Sequence, residues 1–286
     1  MTHLLTLADV SRADIEAMLA LAEAPPAPLL AGTGAALYFE KPSARTRNSM
    51  ELAVHQLGGH PIYLTQGELG IGTRESVEDV ARTLACYHGV ICARVFDHGL
   101  LQALAAASPV PVVNMLSGTD HPLQGLADLL TIRQLCGRIE GVRIAYVGDG
   151  DNNVARSLAQ GCAALGAELT IVAPEGYQLS DAPAGVVQTA DRDAVAGVDI
   201  VYSDVFVSMG QDSETERRMA DLAAYQVDET LMAQAPDAWF LHCLPARRGE
   251  EVTAGVIDGP KSAIWRQAEN RMHTARGALM WLLQQD

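Results

Sequence analysis

This sequence predicts two α/β domains, each a doubly wound parallel sheet, joined by a long helix. Three observations predict it. Short apolar runs alternate with amphipathic helical stretches from residue 35 to residue 114, the signature of parallel strands covered by helices. The alternation restarts at residue 143, and one helical pattern from about Pro122 to Cys136 separates the two series. A length of 286 residues with a hydrophobic fraction of 49% suffices for two ordinary cores and excludes a disordered chain.

Ser11 to Leu21 opens the chain as a helix, with Ser11 as N-cap and Ile15, Met18, Leu19 and Ala22 on one face; Pro25, Pro26 and Pro28 stop it. Ala35 to Phe39 reads as a buried strand. A helix follows Ser43 and ends at Gly58-Gly59. His60 to Leu64 is a strand, Glu75 to Tyr87 an amphipathic helix, Gly89 to Val95 a strand, Leu100 to Ala107 a helix and Val110 to Asn114 a strand. Beyond the connecting helix, Arg143 to Val147, Glu168 to Ala173, Ile200 to Ser203 and Ala238 to Cys243 read as strands, with a helix over Asn153 to Leu165. A final helix begins near Gln267.

Charge and composition narrow the function. A net charge of −15 disfavours nucleic acid and anionic membrane as partners. No apolar run reaches the roughly 20 residues that span a bilayer, and Met1 to Asp9 lacks a basic segment leading into an apolar one, so the cytoplasm is the expected location. The five cysteines are odd in number and form no Cys-x-x-Cys spacing, so neither a disulfide framework nor a metal site is expected. Lysine occurs only at Lys41 and Lys261; in so arginine-biased a chain, an arginine implies an anion site only where its neighbours do too.

Five polar segments fall at predicted strand ends, where open α/β sheets bind ligands. Ser43-Ala44-Arg45-Thr46-Arg47 sits at a helix start, which offers unpaired N–H groups and a positive dipole end to a phosphate; an ordinary cap with solvent-facing arginines fits the same residues. Asp120-His121-Pro122-Leu123-Gln124 follows the fourth strand, and a neutral His121 there can donate to a carbonyl oxygen gaining charge, with Arg94 completing a positive wall. Gly148-Asp149-Gly150-Asp151-Asn152-Asn153 lacks the third glycine of a dinucleotide turn; its acids suit a ligand ammonium, or simply cap the next helix. Asp204 to Gly210, with the charged stretch Gln211 to Arg218, has the composition of a lid or of a plain exposed loop. Leu241-His242-Cys243-Leu244-Pro245 ends the last strand, and Cys243 there is a nucleophile, a base or a packing residue.

In this order, the segments resemble the aspartate and ornithine carbamoyltransferase family, its ornithine branch in particular. The family's Ser-Thr-Arg-Thr-Arg, His-Pro-x-Gln, Asp-x-x-x-Ser-Met-Gly and His-Cys-Leu-Pro motifs match Ser43 to Arg47, His121 to Gln124, Asp204 to Gly210 and His242 to Pro245. Ala268-Glu269-Asn270-Arg271 matches the opening of the last helix. The resemblance implies transfer of a carbamoyl group from carbamoyl phosphate to the side-chain amine of L-ornithine, giving citrulline for arginine biosynthesis, with no cofactor and no metal.

It further implies that Ser43, Ala44, Arg45, Thr46 and Arg94 hold the phosphate. His121, Gln124, Arg271 and the backbone of Cys243 and Leu244 grip the carbamoyl end, while Asn153, Asp204, Ser208 and Met209 bind ornithine. Arg45, Arg94, His121 and Cys243 are the implied catalytic set. The implied domains are 1–125 for carbamoyl phosphate, 126–266 for ornithine, and a C-terminal helix, 267–286, packing back on the first domain; a homotrimer or a multiple of one is the implied assembly.

Three departures stand out: Ala44 in place of the family's Thr, Gly70 where a Gln or His often serves a neighbouring subunit, and a short stretch from Glu175 to Thr189, as though a surface helix were trimmed. Putrescine or acetylornithine as acceptor, a nucleotide-dependent oxidoreductase built on the Gly148 turn, and a catalytically silent binding protein are the competing readings.

Overall fold

In the structure, a computed structural model that describes residues 1–207 and 212–285, each predicted apolar run pairs as a parallel strand. The first sheet contains β1 (Gly34–Phe39), β2 (His60–Thr65), β3 (His88–Arg94) and β4 (Val112–Leu116) in the order β2-β1-β3-β4. All six residues of β1 and all five of β4 are buried, as expected for strands covered on both faces. Around the sheet run α1 (Arg12–Glu23), α2 (Ala44–Gln56), the single turn α3 (Gln66–Leu69), α4 (Val77–Ala85) and α5 (His98–Ala107). Ser11 caps α1 in a full capping box with Asp14, worth about 1 kcal/mol. β4 starts two residues later than the apolar pattern suggests, just beyond Pro111, which has no N–H for the ladder.

The second sheet has β5 (Arg143–Val147), β6 (Glu168–Val172), β7 (Val187–Thr189), β8 (Ile200–Ser203) and β9 (Trp239–Leu241), in the order β7-β6-β5-β8-β9. Its core joins Val147, Val201, Phe240, Val252 and Ile264. The intervening helices are α6 (Pro122–Cys136), α7 (Asn153–Leu165), α8 (Thr215–Leu222) and the single turns α9 (Glu229–Met232) and α10 (Ala254–Ile257); α11 (Ile264–Leu283) ends the fold, starting a turn before the expected Gln267.

Contacts divide the chain into one unit of Met1–Ala127 with Asn270–Asp286 and another of Asp128–Glu269, so α6 and α11 carry the chain across the division. Within the first unit, the C-terminal part of α11 packs on α1. A side chain at Gly277 would collide with the backbone of Met18 and Ala22. The Arg276 guanidinium donates to the terminal carbonyls of α1 at Ala22 (2.7 Å) and Ala24 (3.1 Å), satisfying acceptors that a helix end leaves open. Among the described residues, no helix is long and apolar enough to cross a membrane.

Candidate active site

Chain order within each sheet decides where a site can form. In the first unit β1 leads outward to β2, and the chain then returns to β3 on the other side. In the second unit β5 leads to β6 and β7 before the chain returns to β8. Each reversal opens a crevice at the strands' carboxyl ends. The Ser43 loop follows β1 and Arg94 ends β3; the Gly148 turn follows β5 and Asp204 follows β8. Both crevices therefore carry segments singled out from the sequence.

In the first unit, Ser43 caps α2: its Oγ accepts the Thr46 N–H at 3.4 Å and lies 3.2 Å from the Thr46 hydroxyl. Arg94 donates to that same hydroxyl at 3.1 Å, tying the two strand ends together. Burial, with Arg45 nearby, lowers the Arg94 guanidinium to about 10. Arg45 is exposed at the first turn of α2. Arg47 turns away, donating to Glu51 at 2.7 Å and lying over the Tyr63 ring.

His121 is set by the turn before it. The Ser117 N–H donates to the Asp120 carbonyl (2.8 Å), the Asp120 N–H to Ser117 Oγ (3.1 Å), and the Asn114 amide to the Asp120 carbonyl (3.3 Å). The His121 carbonyl then accepts the Gln124 and Gly125 N–H groups, opening α6. Burial holds the His121 imidazole well below its ordinary pKa, and the charges of Arg271 and Arg94 add to the effect. The ring is thus a neutral hydrogen-bonding group at pH 7, as a carbonyl-polarising role requires. The first unit accordingly brings Ser43, Thr46, Arg94 and the neutral His121 together beside the positive charges of Arg45 and Arg271, an arrangement suited to an anion, and Gln124 and Arg271 are buried there too.

The second unit differs. The Cys243 thiol donates to the Asp204 carboxylate, with Sγ 3.1 Å from Oδ1. Asp204 is buried, and burial raises its carboxyl above the ordinary range despite the lowering effect of the hydrogen bond from the thiol. The turn that carries Cys243 is tightly framed. The His242 N–H donates to Gln267 Oε1 (2.8 Å), the Leu244 N–H to His242 Nδ1 (2.9 Å), and His242 Nε2 lies 3.1 Å from Glu251 Oε1. Because Nδ1 accepts, the ring's proton sits on Nε2 and is donated to Glu251. Leu244 has φ of 61°, the one non-glycine in the left-handed region among the described residues. These bonds offset the roughly 1–2 kcal/mol such a conformation costs.

Asp204, His242 and Cys243 place ligand atoms within 4.8 Å of one another, a spacing that a metal ion could bridge. Both imidazole nitrogens are already engaged, so the group available for chemistry is the thiol–carboxylate pair.

Two expectations need correction. The acidic Gly148 turn is not an ammonium seat. The Asp149 carboxylate is paired with Arg218 in a buried salt bridge, and Asp151 Oδ1 accepts the N–H and hydroxyl of Ser180, each at 3.3 Å. Asn152 caps α7, accepting the N–H groups of Val154 and Ala155 at 2.9 Å, so the helix-cap alternative holds. Burial pushes Asp149 up to about 6 against the pull of Arg218. The charged stretch Gln211 to Arg218 is not wholly loop either: Thr215 to Leu222 is helical, and Arg218 is buried, donating to the Phe206 carbonyl at 2.9 Å. Ser208 and Met209 lie outside the described residues, and Asn153 is half-buried as the first residue of α7.

Gly70 also has a conformational reason. It ends α3 with φ of 62°, where its N–H closes the turn on the Gln66 carbonyl at 2.8 Å. The short stretch before Thr189 contains the three-residue strand β7, which sequence reading missed. Gln267, Glu251 and Arg218 were missed as well. Their partners are 25, 9 and 69 residues away, and no local pattern announces such contacts.

Two family descriptions match the chain. Residues 2–134 match the carbamoyl-P binding domain of aspartate/ornithine carbamoyltransferase, and residues 140–283 its Asp/Orn binding domain. An ornithine carbamoyltransferase of Bacillus subtilis is 45% identical, covering 98% of this chain and 93% of that protein. One from Hyperthermus butylicus is 48% identical over 90% of this chain and 86% of its own length. Among solved structures, the ornithine carbamoyltransferase of Pyrococcus furiosus aligns with a TM-score of 0.93 at 40% identity, covering 99% of this chain and 97% of that one. Matched over nearly all of its length in both sequence and fold, this chain belongs to the aspartate/ornithine carbamoyltransferase family.

Proposed function

We propose that this chain is an ornithine carbamoyltransferase, forming L-citrulline and phosphate from carbamoyl phosphate and L-ornithine. The reading rests on family membership and, for the amine acceptor, on one observation: a thiol hydrogen-bonded to a buried carboxylate of raised basicity, Cys243 on Asp204. An attacking amine must be neutral. With a lysine-like pKa near 10.4, reaching the neutral form at pH 7 costs about 4–5 kcal/mol. The Cys243–Asp204 pair offers the departing proton an acceptor in a low-dielectric setting, which reduces that cost.

In the first unit, the start of α2 with Ser43, Ala44, Arg45 and Thr46, together with Arg94, takes the phosphate. Neutral His121, with Gln124 and Arg271, takes the carbamoyl oxygen. The loss of a hydroxyl at Ala44 leaves the backbone N–H of that position in place. In the second unit, Asn153, Asp204, Ser208 and Met209 take ornithine, and the Cys243–Leu244 backbone meets the carbamoyl group. The amine nitrogen bonds to the carbamoyl carbon, the carbon–oxygen bond to phosphate breaks, and the amine proton passes to the thiol–carboxylate pair. No cofactor or metal enters this scheme.

A cytoplasmic homotrimer, or a multiple of one, acting in arginine biosynthesis fits the same reading. β2 is an edge strand with Ile62 exposed, and Leu52 on α2 is exposed too. Unpaired edges and exposed apolar side chains of this kind favour a covering subunit.

Colorimetric measurement of carbamoylated product from carbamoyl phosphate tests the proposal. Turnover with L-ornithine should exceed that with putrescine or acetylornithine by at least about a hundredfold, the scale at which buried polar recognition discriminates. A preference for putrescine or acetylornithine would reassign the acceptor.

A further inference from the structure

Gln267 occupies an unusual position. Its side chain is 1% exposed, yet both ends of its amide are engaged. Nε2 donates to Asp128 Oδ1 at 2.7 Å and to the Tyr202 hydroxyl at 3.1 Å, while Oε1 accepts the His242 N–H at 2.8 Å. Tyr202 in turn donates to Asp128 Oδ2 at 3.2 Å. Asp128 and Tyr202 are fully buried. A buried carboxylate accepts and cannot donate, so it dictates which end of the amide faces it. With Nε2 held by Asp128, Oε1 has one orientation left, and it meets the backbone at the first residue of the His242–Pro245 turn.

We propose that Gln267 is a positioning residue for the reaction, one whose amide, oriented by Asp128, fixes the His242 backbone and so sets the Cys243–Leu244 turn against Asp204. The inference rests on the assignment of Cys243 and Leu244 to the active site. It adds a second support, independent of the His242–Glu251 bond, which holds the turn through a side chain. Losing the Gln267 acceptor leaves a buried N–H without its partner and frees the strand end. The thiol, 3.1 Å from its acceptor carboxylate, depends on that placement.

Four variants of the full chain test it. Gln267→Leu should lower kcat by about tenfold to a hundredfold, the effect of a lost buried hydrogen bond transmitted to the reacting groups. Gln267→Glu opposes two carboxylates, which share one proton at low pH. Its kcat should approach the wild-type value at acid pH and fall as rising pH removes that proton, a limb absent from the wild-type profile. Asp128→Leu removes the acceptor that orients the Gln267 amide and should resemble Gln267→Leu. The double variant Asp128→Asn/Gln267→Glu exchanges amide and carboxylate. It restores the bond between the two side chains, keeps an acceptor for the His242 N–H, and should return kcat to within about threefold of wild type.

A role confined to stability would reduce the amount of folded enzyme without creating a new pH limb in turnover per folded molecule. Amide hydrogen exchange at His242 gives a readout independent of turnover: protection should be lost in Gln267→Leu and regained in the double variant. If Gln267→Leu does not fold, the pH series on Gln267→Glu and the double variant decides. Retention of kcat and of His242 protection in the single variants, or failure of the double variant to restore them, overturns the proposal. If the wild-type chain makes no citrulline, the proposed function falls, while the exchange measurements still decide whether Gln267 holds the turn.

Discussion

The crevices of the two units treat charge in opposite ways. In the first, cations are concentrated: Arg94 and His121 are both shifted toward their neutral forms by burial, and in each case positive neighbours push the same way. In the second, the buried acids are hydrogen-bonded one by one, Asp149 to the Arg218 guanidinium, Glu251 to the His242 ring, and Asp204 to the Cys243 thiol. A site short of negative charge recruits it from its ligand, so an anion there binds and also relieves internal repulsion. A site whose carboxylates are already hydrogen-bonded holds its geometry before the ligand arrives. Under the proposed function, the electrophile meets the side where positive charge is concentrated, and the nucleophile meets the side whose hydrogen bonds are built in advance.

If this contrast is sound, removing a cation should have different consequences in the two units. Arg218→Met strands a buried carboxylate and should cost about 3–5 kcal/mol of stability at pH 8 by urea unfolding. The sign of its pH dependence follows from Asp149. A carboxyl raised above its unfolded value of about 3.9 opposes folding increasingly as pH rises from that value to its folded one, about 6 with Arg218 present. Without Arg218 that folded value climbs further, so the deficit should shrink at pH 5; a deficit equal at both pH values would argue against the pairing.

Next in size, Arg45→Ala should lower kcat/KM by about a hundredfold to a thousandfold while leaving the urea midpoint unchanged, because Arg45 is exposed and belongs to the side where positive charge is concentrated. Near-normal turnover would remove Arg45 from the phosphate site. Smallest is Cys243→Ala, with a loss in kcat of about a hundredfold. Calorimetric binding of inorganic phosphate should be untouched, since the proposed function assigns that anion to the first unit. Weakened phosphate binding would blur the division between the two crevices.

How much of this could be read from the sequence follows from the range of the interactions. The central strands were legible because burial on both faces turns them into continuous apolar runs, as at Ala35 to Phe39 and Ile200 to Ser203. β7 was not: it has three residues, and Val187 is 57% exposed, so no apolar run marks it. Candidate site segments were visible because they cluster at strand ends, and the resemblance supplied their roles. The sequence misled at the Gly148 turn, where the acids looked available. Their partners, Arg218 on Asp149 and Ser180 on Asp151, lie 69 and 29 residues further on. Likewise the motif around Cys243 could be seen, but the frame that holds it could not, because Asp128 and Gln267 are 139 residues apart.

The division of the chain at 127/128 and 269/270 means that the second unit is an insertion within the first. During synthesis the second unit is therefore the first to have its full sequence, although the ribosome began with the other. The first unit must wait for its segment from Asn270 to Asp286, with the carbonyls at the end of α1 and the groove that receives Gly277 open to solvent until α11 emerges. Contacts such as Arg276 to Ala22, 254 residues apart, close late and carry the entropic cost of a long loop. A nascent chain stalled or truncated before Asn270 is thus half a finished protein joined to half an unfinished one, the form most exposed to aggregation and to proteolysis.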